Sequence, residues 1–105
     1  MAPPPDIRAM ADQLNKDFDR AGVKAHVSGN VSSTDFANEL LGIIHQCIAG
    51  KPDALQNLLY VVDVSEIALG KLIAAQKGTP EEAITWLLLK RTWEKIESRK
   101  KFANF

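Results

Sequence analysis

Thr79-Pro80-Glu81-Glu82-Ala83-Ile84-Thr85-Trp86-Leu87-Leu88-Leu89-Lys90 is the stretch whose reading decides the fold. Thr79 is placed to cap a helix with its hydroxyl, and Pro80 falls at the first helical position, where its missing N–H costs nothing. Glu82 stands three residues after the threonine and can return a bond to its amide, closing a capping box. The helix launched there extends to about Lys101, roughly 33 Å at 1.5 Å per residue. Ile84, Leu87 and Leu88 can face one neighbour. Trp86, Leu89, Trp93 and Ile96 recur at three-four-three spacing on an overlapping stripe. Those four residues are the candidate interaction surface, because one neighbouring layer cannot cover so broad an apolar circumference.

The same helix ends in a basic cluster. Lys90, Arg91, Lys95, Arg99, Lys100 and Lys101 outweigh Glu94 and Glu97. This is a candidate basic contact face, and cations there also suit the negative pole of the helix. The spacing predicts exposed pairs between Lys90 and Glu94 and between Glu97 and Lys101, the ordinary pattern of a solvated helix face.

Upstream, the pattern is helical almost throughout. Ile7, Met10, Ala11, Leu14 and Phe18 recur at three- and four-residue spacing and predict a first helix from Asp6 to Arg20. A second is expected from Ser32–Thr34 to Gly50, apolar at Phe36, Leu40, Ile43, Ile44, Cys47 and Ile48. After Gly50-Lys51-Pro52, Leu55, Leu58, Leu59 and Val62 predict a third. Asp63-Val64-Ser65-Glu66 reads as a new capping box, and Ile67, Ala68, Leu72 and Ile73 carry an apolar stripe on to Gly78, a glycine placed for a left-handed helix end. Between the first two helices, Val23, Ala25 and Val27 alternate as a strand would, but a lone strand has no ladder partner within the chain. An ordered loop over residues 21–31 is expected, turning at Gly22 and Gly29-Asn30, with strand pairing in a dimer as the alternative.

The expected fold is therefore all-α, a bundle of four to five helices with a long C-terminal helix and up-and-down neighbours. Residues 1–5, with Pro3-Pro4-Pro5, read as a short Pro-rich arm, and residues 6–105 as a single helical domain. A chain of 105 residues can bury one core and not two.

Composition narrows the function classes. Thirteen basic and thirteen acidic residues cancel to a formal net charge of zero, so nothing global draws the protein to nucleic acid or to an anionic membrane. Cys47 is the only cysteine and Met1-Ala2-Pro3-Pro4-Pro5-Asp6 lacks an export signal, which together predict a cytoplasmic location. No apolar run approaches the ~20 residues that span a bilayer.

Chemistry is sparse. His45 and Cys47 are two apart on a helix and point to different sides, and no further ligand completes a metal site. His26 and Tyr60 could join His45 only through the fold. No phosphate loop, zinc motif or nucleophile elbow is present, so neither enzyme activity nor a cofactor is expected. Residues 55–75 resemble a helix-turn-helix in length, and Val64-Ser65 resembles the opening of many recognition helices. The reading helix in that comparison, Glu66 to Ala75, offers Lys71, with Lys77 just beyond it, but also Glu66, and lacks the arginines, asparagines and glutamines that read base edges. Two functional expectations follow. The first is a non-enzymatic interaction or adaptor module with a protein partner or a second copy, associating through the last helix. The second is a small nucleic-acid-associated regulator using residues 55–75 and the basic end.

Overall fold

A computed structural model describes residues 6–75 and 78–103. The arm at residues 1–5 lies outside the described residues, as do Lys77 and the side chain of Lys101. The described residues form five helices: α1 (Ile7–Ala21), α2 (Ser33–Gly50), α3 (Pro52–Val62), α4 (Glu66–Ala75) and α5 (Pro80–Ala103). There is no strand among the described residues, and the all-α expectation with a long last helix is met.

The caps explain most of the boundaries. Asp6 accepts from the Ala9 amide and so precedes α1 instead of opening it, and Ser32 does the same for α2 through the Asp35 amide. At α5 the capping box is complete: the Glu82 amide donates to Thr79 Oγ1 at 3.2 Å, and the Thr79 amide donates to Glu82 Oε1 at 3.4 Å. Thr79→Ala is expected to cost about 1 kcal/mol in urea unfolding, whereas Thr79→Ser keeps the acceptor and most of the stability.

Asp63 corrects the sequence reading. It does not start α4 but ends α3, in the left-handed conformation at φ 69°, with its amide donating to Tyr60 O. The start of α4 is marked by Ser65, whose Oγ accepts from the Ala68 amide at 3.2 Å. Aspartate tolerates the left-handed region better than most residues, which lets one acid serve as a stop where a start was expected. The reading of Gly78 as a left-handed stop depends on residues 76–77, outside the described residues.

Pairing between sequence neighbours holds for α2 with α3 and for α4 with α5 but not throughout. Both α3 and α5 pack against α1 and against α2, while the sequence neighbours α1 and α2 share no extensive contact. The core runs through Met10, Leu14 and Phe18 of α1, Phe36, Leu40 and Ile44 of α2, Leu58 and Val62 of α3, and Ile84 and Leu88 of α5.

Residues 22–32 form an ordered loop laid against α1. Gly22 ends that helix at φ 81°, a left-handed value that a side chain would strain. Val23 and Val27 are buried, so the alternation seen in the sequence is real but serves a loop. The ladder partner is a side chain: Asn15 donates from Nδ2 to Val27 O at 3.1 Å and accepts from the Val27 amide at 2.8 Å. That amide satisfies both backbone groups of one residue, as a neighbouring strand would. Further on, Gly29 passes so close that an added Cβ would stand 3.2 Å from Arg8 Cα.

The largest departure concerns α4. Ile67, Ala68, Leu72 and Ile73 carry its apolar stripe, yet no residue of the helix is buried, and its one extensive neighbour is α5. Leu69 and Leu72 are partly covered, whereas Ile67 is 72% exposed. Helix α4 rides on the outside of a four-helix body.

Candidate functional site

Helix α5 presents different chemistry to each side. At 3.6 residues per turn, Leu88 and Thr92 define its core-facing side and both are fully buried. Trp86 and Trp93 lie on the far side and are 51% and 39% exposed. Leu89, between them, is partly buried against the core. Ile96 leaves the expected stripe. Ten residues after Trp86, it has rotated about 80° toward the core and is buried. The candidate surface on α5 is thus Trp86, Leu89 and Trp93, while Ile96 borders a separate cleft with Ala9, Gln13 and Lys16 of α1.

The structure adds a floor that the sequence did not reveal. Ile7 and Met10 from α1 and Ser33 and Phe36 from α2 meet Trp86, Leu89, Lys90 and Trp93 around an open groove of about 440 Å³. Met10 and Phe36 are buried at its base. The apolar spacing of α1 and α2 marks these residues as inward-facing, and nothing local says that their outer edge stays open. Lys90 Nζ sits 5.4 Å from the Trp86 ring centre, within cation–π range, and does not pair with Glu94.

The basic face divides. Arg91 donates from Nε to Asp63 O at 3.3 Å and from Nη2 to Asp63 Oδ2 at 3.2 Å. Lys95 donates to Val61 O at 3.2 Å and stands 4.0 Å from Asp17 Oδ2. Both cations hold the carbonyl end of α3, where the helix dipole is negative. Arg99 and Lys100 remain exposed, and Lys100 pairs with Glu97 at 3.5 Å, three residues away. Among the described cations of this face, Lys90 on one side and Arg99 with Lys100 at the end are the exposed ones, Arg91 and Lys95 being partly covered.

Helices α3 and α4 are joined by a short turn but share no extensive contact. A helix-turn-helix positions its reading helix by packing it on the preceding one, and that packing is missing here.

The candidate chemical groups lie apart. His45 Nδ1 is 2.9 Å from Glu81 Oε2, an exposed link between α2 and the start of α5. His26 Nε2 is 3.5 Å from Asp19 Oδ1 at the end of α1. Tyr60 is almost fully exposed on α3. Cys47 is buried beside a cleft of about 250 Å³ between α2 and the loop. Burial pushes its thiol pKa up, against a smaller downward pull from Lys51, so the nucleophilic thiolate is disfavoured at neutral pH. Among the described residues no three His, Cys, Asp or Glu side chains gather as a metal site. No helix of the described residues is long and apolar enough to cross a membrane.

Comparison with protein families, curated proteins and solved structures finds no match to this chain.

Proposed function

We propose that the protein is a non-enzymatic interaction module that self-associates by setting the tryptophan groove of one copy against that of another. One observation carries this reading: two large indoles stand exposed on the rim of an apolar groove about 440 Å³ in volume. Aromatic side chains of this size dominate interface energetics, and a buried cluster of them is the usual anchor of a protein contact. The surface offers both a knob and a hole. A two-fold pair places the indole of each copy in the groove of the other, as an isologous interface requires. Zero net charge supports the pairing, since two copies do not repel. A reducing, cytoplasmic setting suits a chain whose sole cysteine is a buried thiol.

Sedimentation velocity from micromolar to hundreds of micromolar tests the proposal. The weight-average mass of the wild type is expected to climb from monomer toward dimer. Trp93→Glu, which puts a charge at the centre of the contact, is expected to weaken the dimer on the order of a hundredfold. A wild-type protein that stays monomeric throughout would defeat the reading.

A further inference from the structure

A second concavity lies at the far end of α2. Val23 and Ala25 of the loop, Ile43 and Cys47 of α2 and Ala54 of α3 wall a cleft of about 250 Å³. It shares no lining residue with the tryptophan groove. Its volume is that of about eight water molecules in the liquid, room for a ligand of similar heavy-atom count. Gly50, the last residue of α2, lines it as bare backbone, and a Cβ added there would meet nothing within 4 Å. One side of the cleft therefore stays open to an incoming molecule.

The charges on this cleft have one sign. Lys24 and Lys51 line it and are exposed, and none of its lining residues is an acid. Neither lysine pairs with a carboxylate among the described residues. Burial pushes the Cys47 thiol pKa up, so that wall adds no negative charge and behaves as a small apolar surface. Gln46 supplies the one side-chain amide of the lining. A sugar or a nucleobase would leave most of its polar groups without partners against such walls. An aliphatic chain has none to lose, and an anionic head at the mouth gains from both ammonium groups while keeping contact with water.

We propose that the cleft between the loop, α2 and α3 binds a short-chain carboxylate, with its aliphatic chain against Ile43, Cys47 and Ala54 and its charge at Lys24 and Lys51. A chain of about six carbons brings the heavy-atom count to what the cleft holds. So small a ligand binds weakly, with a dissociation constant of order a millimolar. The site is independent of the self-association reading, because the two surfaces have no residue in common.

The test titrates the isotopically labelled full chain with hexanoate, hexanol and inorganic phosphate and follows the amide NMR spectrum. Hexanoate is expected to shift the amides of Val23, Cys47, Gly50 and Ala54 along one saturable curve. Hexanol, which has the chain without the charge, is expected to bind about fivefold more weakly, and phosphate to give no saturable shift at these positions. Replacing both exposed cations, Lys24→Met with Lys51→Met, is expected to weaken hexanoate about fivefold and to leave hexanol unchanged, with circular dichroism checking the helices. Hexanol binding as tightly as hexanoate, or hexanoate binding the double variant undiminished, overturns the proposal by removing the role of the lysines. Phosphate saturating the same amides as tightly as hexanoate overturns it by removing the role of the chain. Saturation at the indole N–H groups of Trp86 and Trp93 without saturation at the cleft overturns its location.

Discussion

Phe18→Ala is expected to remove about 3–5 kcal/mol of stability, the largest loss from any single truncation in the α1 core. Phe18 is fully buried, and its carbonyl also accepts from the Val23 amide at 2.9 Å. The residue therefore serves twice, its ring in the packing of α1 on its neighbours and its backbone carbonyl in the reversal that folds the loop back over α1, and the alanine variant removes only the first. A domain of this size has about 5–15 kcal/mol in total, so the variant should melt at least 12 °C lower. Urea unfolding followed by circular dichroism measures the change. Phe18→Leu fills much of the space and should lose less than half as much. A loss under 1 kcal/mol for the alanine variant would mean that the site collapses around the gap, and that the core is far softer than its burial suggests.

The second large effect is expected at Lys95. Asp17 is fully buried in α1, with Gln13 Nε2 donating to Oδ1 at 3.1 Å and no hydrogen-bond partner for Oδ2. The Lys95 ammonium, 4.0 Å away, is the cation that faces it. Lys95→Met keeps the aliphatic stem while stranding both the carboxylate and the Val61 carbonyl. Removing one member of a fully buried pair costs 3–5 kcal/mol; Lys95 is partly exposed and the separation is long, so about 2 kcal/mol is expected here. Combining Lys95→Met with Asp17→Asn removes the stranded charge and should recover a large part of the loss, a coupling that a double-mutant cycle reads directly. Simple additivity of the two changes would show that the pair does not interact.

Lys95 also illustrates how far the sequence could be read. Its place on the long helix was plain, and so was its charge, but its target lies in two other helices. Helix starts were legible because capping is local: Asp6, Ser32 and Thr79 each act on amides within three residues. The same locality misled at Asp63, where an acid followed by a glutamate three residues on matches a capping box, yet the backbone turns left-handed and closes α3. Hydrophobic periodicity reports which face of a helix is apolar, not whether a neighbour reaches it. That is why the apolar stripe of α4 did not show that the helix stays outside the core, and why Ile96 looked like a surface residue. Trp86 and Trp93 were singled out by spacing alone. The groove beneath them is a property of three helices meeting, and Ile7, Met10, Ser33 and Phe36 carry no local mark of it.

Exposed apolar side chains on α4 offer a rival surface for self-association, and one experiment separates the two. Sedimentation equilibrium on the wild type, Trp93→Glu and Ile67→Glu compares equal charges placed on α5 and α4. The tryptophan groove as the contact predicts a monomeric Trp93→Glu protein beside an Ile67→Glu protein that dimerises like the wild type. A monomeric Ile67→Glu protein beside a Trp93→Glu protein that still dimerises would contradict it and move the interface to α4.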